Sequence, residues 1–498
     1  MIKAARSVLK SQEPNRMTKE FFYRPSDAWA ADFIPFYDGG RFRLFYLLDW
    51  RNKDSRGEGT PWYLISTKDF VNFSEHGEVL GRGSINDQDL YVFTGSVIRA
   101  GGLYHIFYTG HNPYFRVAGK PEQGIMHATS DDLLHWKKLP NDTFYAPLDH
   151  YEPNDWRDPF VFWNGDSHEY WMLLAARLKD GSPSRRRGCT ALCVSIDLRS
   201  WEVKEPFYSP NLYYTHECPD LFRMGNWWYL IFSEFSDLVR TRYRMARSLD
   251  GPWLTPDDDT FDGRAFYAAK TASDGRRRYL FGWNPTRHSC KDYESWEWGG
   301  NLVVHEIKQQ KNGLLSVSVP ATVNQAWKKT NLSPKFDLVF GRVKQRKRKI
   351  KIFASRTFAC SAAGEMPKRC RIETSIEIKR GTHSCGIMLR TSDDLEKSYY
   401  IRLEPKKERL VFDSWPRSTD HPIKNTDAGY MPGLERKINF NALEPINLTI
   451  FVDGSICVVY VDGVCALNCR MYDLLSGRWG FFVEQGISVF SNYKISTL

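Results

Sequence analysis

The sequence predicts an all-β protein, a five-bladed β-propeller followed by a C-terminal β-sandwich. Three observations carry that expectation. A strand-and-turn unit recurs across the first three hundred residues. Helical periodicity is scarce there, and strands of about five residues alternate with Gly, Asn, Asp and Pro. From about Gly341 alternating strands continue without the repeated unit.

The unit pairs an aromatic-rich apolar strand with a strand that ends in Ser, then Asp, then an aromatic residue. Arg43–Leu48 is followed by Leu64–Phe73, and Tyr104–Thr109 by His127–Trp136. Tyr170–Ala175 is followed by Cys193–Trp201, and Trp228–Phe232 by Met245–Trp253. A degenerate fifth copy is Arg278–Trp283, leading into Trp298–Ile307. The period of roughly 50 to 60 residues matches one four-stranded propeller blade. The Ser and Asp of each turn are placed to bond nearby backbone amides.

These copies predict a propeller over residues 20–308. A polar, Lys-rich connector over 309–340 follows, and then a sandwich over 341–498. In the last region Arg371–Ile378 alternates apolar and polar residues, as a half-buried strand should. Leu448–Gly463 contains two Asp-Gly pairs that mark tight turns.

Composition excludes several classes. The 498 residues are 42% hydrophobic, 26% charged and 15% aromatic, which rules out a disordered, collagen-like or coiled-coil chain. No stretch approaches the roughly 18 to 20 apolar residues of a membrane span, so no membrane partner is expected. The N-terminus has no apolar segment long enough for a secretory signal, which predicts a cytoplasmic location. The ten cysteines are scattered without a C-x-x-C pair, which fits that location and suggests no zinc site. The net charge of +10 lies largely in the runs Arg185–Arg187, Arg276–Arg278 and Lys344–Lys351. Without a recognition helix or zinc motif these read as solvated loops and edge strands, so no nucleic-acid partner is expected.

Propellers place their ligand at the axis, where the first strands of the blades converge. Three acids precede apolar strands in three separate blades: Asp32, Asp158 and Glu217. Each lies close to Pro or Trp. An isolated acid before a strand is commonly a turn residue. Three at equivalent places suggest converging carboxylates, which raise one another's pKa and can divide acid and base roles. Two acids flanking a glycosidic bond suit glycoside hydrolysis.

At this point the chain resembles glycoside hydrolase family 32, the β-fructofuranosidase, invertase and inulinase family. Trp156-Arg-Asp-Pro159 resembles its Arg-Asp-Pro motif, and His216-Glu-Cys-Pro219 its Glu-Cys motif. Phe93-Thr-Gly-Ser96 resembles its Phe-Ser-Gly-Ser motif, and Trp298-Gly-Gly-Asn-Leu302 its Trp-x-Gly segment. Phe451–Ser455 is similar to part of its C-terminal sandwich. The first motif departs. Where the family has Trp-Met-Asn-Asp-Pro-Asn-Gly, this chain has Trp29-Ala-Ala-Asp-Phe-Ile-Pro35. The Gln that usually follows the next strand is also absent, and Leu47, Leu48 and Asp49 stand there.

The resemblance implies a retaining enzyme that releases terminal fructofuranosyl residues from sucrose or short fructosides. It assigns Asp32 as nucleophile, Glu217 as acid and base, and Asp158 as a binder of ring hydroxyls that strengthens in the transition state. Arg157, beside Asp158, is either a substrate contact or a structural ion pair. Cys218 is expected to tune the setting of Glu217. Trp62, Phe93, Ser96, Trp283 and Trp298 are candidate pocket walls, with core packing as the competing role. Asp89 and Tyr91 are further candidates near the start of the second blade.

No cofactor and no metal are expected, and the partner is a small carbohydrate. Alternatives are a same-fold arabinofuranosidase, a fructosyltransferase, and a non-catalytic glycan-binding protein. The sandwich is expected either to dock on the propeller edge or to mediate a homo-oligomer.

Overall fold

The computed structural model describes residues 16–181, 183–327, 330–332, 334–416, 434–440 and 444–497. The N-terminal segment 1–15, on which the expected lack of a signal rests, lies outside the described residues.

Between Arg16 and Ser318 the strands form sheets of nine, four, four and three members. Five strands stand out by position: Trp29–Asp38, Tyr91–Ala100, Tyr151–Asn164, Glu217–Met224 and Tyr267–Ser273. Each pairs with the next strand in sequence as an antiparallel hairpin. Each also packs against the next of the five, and the last returns to the first, so the five close a ring. The nine-stranded sheet joins the start and end of that ring through one residue pair, Gly300 with Ala30.

The repeated turn has a physical basis in hydrogen bonds. Ser130 Oγ accepts from the amides of Asp132 (3.1 Å) and Leu133 (3.0 Å). Asp132 Oδ1 then accepts from the amides of Leu134 (2.8 Å) and His135 (2.9 Å). Ser195 with Asp197 repeats the pattern, and Thr67 with Asp69 does so in the first copy. Phe70, Leu133 and Leu198 take the left-handed conformation at the turn. Two side-chain oxygens therefore replace the amide partners that a tight turn would otherwise leave unmet.

The fourth copy is thinner than four strands. Its sheet has three strands, and its outer position holds two isolated bridges, Arg242 with Thr260 and then Met245 with Leu254. Pro252 and Pro256 flank the second bridge and have no amide hydrogen to extend it.

The region expected to be a connector is shared between the two halves. Leu315–Ser318 extends the first half by pairing with Trp296–Gln309. Phe336–Phe340 pairs with Lys349–Glu365 in the second half. A short helix, Ala321–Ala326, lies between them.

The second half is one 13-stranded assembly built around the strand Arg478–Thr497. On one side that strand pairs from Arg478 to Ser491 with Lys349–Glu365, and its end pairs with Thr330–Leu332. On the other side its first part pairs with Ser384–Thr391 and its later part with Arg369–Ile378. Two arms result, and one apolar cluster takes Ile387, Ile401 and Leu410 from the first and Ile372, Ile450 and Val459 from the second.

The halves pack on each other. A second cluster joins Phe451, Val458 and Tyr460 to Tyr243, Phe261, Phe266 and Leu280. Arg470, buried, donates to Asn284 O (2.7 Å), Pro285 O (3.0 Å) and Asn301 Oδ1 (2.8 Å) across the seam. Asp262 accepts from His305 Nε2 (3.0 Å) and from the Asn468 amide (2.7 Å).

Candidate active site

The five ring strands share an irregularity at one level. Pairing slips between Ala31 and Ile34, Val92 and Gly95, Arg157 and Phe160, Glu217 and Asp220, and Tyr267 and Lys270. In four of these bulges a non-glycine residue takes a positive φ: Asp32 (46°), Asp158 (60°), Cys218 (50°) and Ala268 (49°). A β-bulge bends its strand and re-aims a side chain, and left-handed backbone at such residues costs about 1 kcal/mol or more. Here the repeated bulge turns side chains of four strands toward one cavity.

That cavity has a volume of about 420 Å³. Asp32, Asp158 and Glu217 line it together with Arg157, Phe93 and Trp298. Its wall also includes Leu47, Asp49, Tyr91, Cys218, Tyr267 and Ala268. A cavity of this size, with polar groups set in a partly aromatic wall, suits a small ligand.

Each carboxylate is held differently. Asp32 Oδ1 accepts from Trp283 Nε1 at 3.1 Å. Burial, and then the charges of Asp158 and Glu217, push the Asp32 carboxyl up to about 7. Glu217 accepts from two donors, Arg157 Nη2 at 3.0 Å and the Tyr267 hydroxyl at 2.6 Å. Burial raises its pKa, while Arg157 and Tyr267 work against that rise. Asp158 Oδ2 accepts from the Cys218 amide at 2.9 Å, and the Asp158 amide donates to Thr109 Oγ1 at 2.8 Å. Asp158 is thus fixed at both its backbone and its carboxylate.

Arg157 sits at the centre of a charge network. Its Nη1 donates to Asp155 Oδ1 at 2.7 Å, and Arg177 also reaches Asp155, at 3.3 Å. The guanidinium is therefore both an ion-pair member and part of the cavity wall. Lys270, buried, donates to Gly95 O at 2.5 Å and partly offsets the negative charge around Asp32.

Three expected walls, Trp62, Ser96 and Trp283, do not line the cavity. Trp62 is fully buried between Phe45 and Tyr108, and its indole nitrogen donates to Phe93 O at 3.0 Å. It belongs to the third strand of its sheet, two strands out from the ring, so it supports Phe93 from behind. Ser96 lies past the bulge of its strand, and its Oγ accepts from the Val161 amide at 3.0 Å. It ties two neighbouring ring strands together below the cavity. Trp283 is buried behind Asp32 and packs edge-on against Trp298 at 6.4 Å. Asp89 is buried against Lys138 (2.5 Å) and Tyr108 (2.9 Å), and it is Tyr91 that reaches the cavity.

Other cavity residues carry no signal in the sequence. Tyr267 precedes Ala268 in a strand of small residues that matches no motif. Lys53 and Thr60 come from the connection after Asp49. Arg51 carries no sequence signal either. Its guanidinium stacks on Trp29 at 4.0 Å and bonds Glu297 (2.5 Å), Thr286 Oγ1 (2.6 Å) and Trp298 O (2.9 Å). It braces the strand end that presents Trp298. Among the described residues no cluster of His, Cys, Asp and Glu could hold a metal ion.

A cavity lined by differently held carboxylates on an all-β ring has the make-up that glycoside hydrolysis needs. Two family models match the chain: the glycosyl hydrolases family 32 N-terminal domain over residues 23–317, and the family 32 C-terminal domain over 341–497. The chain belongs to glycoside hydrolase family 32. It is 27% identical to a sucrose-6-phosphate hydrolase of Vibrio alginolyticus over 303 residues, 56% of this chain and 58% of that protein. A sucrose-6-phosphate hydrolase of Zymomonas mobilis is 22% identical over 88% of this chain and 84% of its own length. The solved structure of an exo-inulinase from Aspergillus awamori superposes with a TM-score of 0.70 at 16% identity, covering 96% of this chain and 98% of that one.

Proposed function

We propose that the chain is a retaining β-fructofuranosidase that releases terminal fructofuranosyl groups from sucrose or short fructosides. The observation that carries this reading is the pairing of Asp32 with Glu217 in one cavity, each held by different donors. Asp32 attacks the anomeric carbon and forms a glycosyl-enzyme. Glu217 protonates the leaving oxygen and then takes a proton from the attacking water. Asp158, fixed by the Cys218 amide, binds ring hydroxyls. Phe93 and Trp298 offer faces to the sugar, and Trp283 supports Asp32 from behind.

The protonation balance needs attention. Burial and neighbouring negative charge favour a protonated Asp32, and burial also raises Glu217 against its two donors, so the free enzyme holds a proton shared by the pair. The productive state has that proton on Glu217. It therefore rises and falls with pH together with the state protonated on Asp32, as in any coupled pair.

A neutral sugar suits the cavity. The exposed cation of its wall, Lys53, is 3.2 Å from the Tyr91 hydroxyl and 3.6 Å from Glu58. Both partners compete with a phosphate for that charge.

The wider reading follows the same line. We take the five ring strands as the innermost strands of five blades, over about residues 20–308, and the two-armed assembly over 341–498 as a β-sandwich. Ten unpaired cysteines suit a reducing, cytoplasmic setting.

The test uses sucrose, sucrose 6-phosphate, 1-kestose and an aryl arabinofuranoside, with proton NMR of the first-formed sugar. Two results support the reading: release of fructose with retained configuration, and recovery on the Asp32 peptide of a fructosyl label fluorinated at C1 or C3, beside the anomeric C2, and supplied with an activated leaving group on C2. First-formed inverted sugar, or a label on another residue, rejects it.

A further inference from the structure

The stretch from Leu338 to Gly364 contains no Asp or Glu. Within it, Arg342, Lys344, Arg346, Lys347, Arg348, Lys349 and Lys351 crowd into ten residues. The strand Arg342–Arg346 turns back onto the strand that begins at Lys349. The register places Lys344 directly opposite Lys351, and Arg346 directly opposite Lys349. Like charges opposite each other in a sheet repel and cost stability.

Guarding an exposed edge explains only part of this. Lys-rich edge strands do discourage sheet-to-sheet pairing. Lys349 and Lys351, however, lie in a strand that is paired on both sides, to Arg342–Arg346 and to Arg478–Thr497. There is no edge for them to guard. Nor does the fold neutralise them. Among the described residues none of the seven cations forms an ion pair with a carboxylate. Asp337, which precedes the stretch, pairs with Arg478. Glu377, brought to the same face opposite Val489, is bonded to Lys379.

The face is also shaped. Lys344, Arg346, Lys347, Arg348, Lys349 and Lys351 line a groove of about 1050 Å³, completed by Val489, Ser491 and Asn492. Phe353 lies beneath three of the cations, with Arg342 at 4.8 Å, Lys351 at 4.9 Å and Lys344 at 5.8 Å from its ring. Its face is thus covered by cations, and the groove offers no open ring on which a nucleic-acid base would stack. What remains is a row of cations about 5 Å apart between strands and about 7 Å apart along them. Such spacing suits a linear polymer with regularly repeated anionic groups.

We propose that this groove of the second half binds a linear acidic polysaccharide, holding the enzyme on an anionic glycan while the distant cavity cleaves its substrate. The choice of a glycan over other polyanions rests on the fructofuranosidase reading; the anion site itself does not.

The experiment measures binding of the full-length chain to alginate, a uronic-acid polymer, with uncharged dextran and polyuridylate as comparisons. The test variant replaces Lys344, Arg346, Lys349 and Lys351 by Gln together. Wild type is expected to bind alginate in a salt-sensitive way and to ignore dextran. The variant should lose at least about tenfold in affinity, with unchanged sucrose hydrolysis and a melting temperature equal to or above wild type, because repulsion has been relieved. If the fourfold variant does not fold, Lys344→Gln with Arg346→Gln alone should show a smaller loss of the same sign. Undiminished alginate affinity in a folded variant overturns the proposal, as does absence of alginate binding by wild type. Tighter binding to polyuridylate than to alginate overturns the choice of glycan. Binding is read without turnover, so failure of the fructofuranosidase reading leaves this result distinguishable.

Discussion

Trp283 donates its indole N–H to Asp32 Oδ1 at 3.1 Å and so ties the second strand of the last ring hairpin to a carboxylate 251 residues earlier. The bond closes the ring chemically at the level of the cavity. It also favours the ionised form of Asp32 against burial and two neighbouring negative charges. The first prediction follows from that sign. Trp283→Phe removes the donor, so the Asp32 carboxyl should rise further above about 7. In the wild type the basic limb of the kcat/KM profile reports loss of the last shared proton, near the group with the higher value. That limb should move to higher pH in Trp283→Phe. A limb that stays in place would detach Asp32 from the titration.

Asp32 also links function to stability. Its carboxyl is held at about 7 in the folded chain against 3.8 for the ordinary group. A folded value raised in this way favours the protonated form. The stabilisation is full below the unfolded value of about 4 and is lost as pH rises through about 7. About 4 kcal/mol is at stake over that window, at 1.36 kcal/mol per unit. Asp32→Asn should abolish turnover yet melt at a higher temperature than wild type at pH 8. At pH 4 the difference should largely vanish. Thermal melts at the two pH values check both signs.

Glu217 receives two donors, and their removal should be separable. Glu217→Gln should lower kcat by roughly 10²- to 10⁴-fold for substrates with poor leaving groups, the range for a general acid. An aryl fructoside, whose leaving group needs less protonation, should lose much less. Tyr267→Phe keeps the carboxylate but removes the 2.6 Å bond to Oε2. It should raise the Glu217 pKa and shift the pH profile upward while preserving the fold. Steady-state kinetics across pH with both substrates distinguish acid catalysis from simple positioning.

Much of this arrangement is legible in the sequence, for reasons that differ by residue. The turn after the third strand of the first three copies announces itself, because Ser or Thr with Asp two residues on supplies its side-chain acceptors at fixed offsets. Asp32, Asp158 and Glu217 stand out because each lies beside Pro or Trp at the head of an apolar strand. The bulges that aim them leave no sequence mark, since their left-handed positions hold Asp, Cys and Ala rather than Gly. Tyr267 is hidden by its neighbours, Ala268, Ala269 and Lys270, which carry no pattern. Trp62 and Ser96 mislead for a related reason. An aromatic ring or a hydroxyl near the axis looks the same in sequence whether it faces the cavity or backs it, and strand order decides which.

Arg51 shows how a residue outside the cavity can set its shape. It bonds Glu297, Thr286 and the Trp298 carbonyl and stacks on Trp29, the first residue of the Asp32 strand. Arg51→Ala frees the Trp298 segment while leaving Asp32, Asp158 and Glu217 with all their donors. KM for sucrose should rise by about tenfold, with kcat changed much less, as expected for lost substrate positioning. Equal loss in kcat and kcat/KM would show instead that Arg51 acts on the transition state.

Arg470 makes the seam between the halves a testable unit. It is buried, bonds Asn284 O, Pro285 O and Asn301 Oδ1 from the far side, and has Ser455 Oγ at 3.1 Å on its own. Burial, with Arg24 and Arg51 as repelling neighbours, brings its pKa down to about 10. The side chain therefore stays charged at neutral pH and depends on those oxygens for its solvation. Arg470→Met preserves much of the volume but strands buried carbonyl acceptors, at a cost on the order of 3 kcal/mol. The apolar cluster around Phe451, Tyr243 and Phe266 remains, so the halves should stay docked at low temperature. On heating, wild type should melt in one transition and Arg470→Met in two, because the remaining polar bonds, such as those of Asp262 to Asn468, hold less of the seam and couple the cores more weakly. Calorimetry reads this directly. A single transition, merely shifted downward, would place the coupling in the apolar cluster and those remaining bonds.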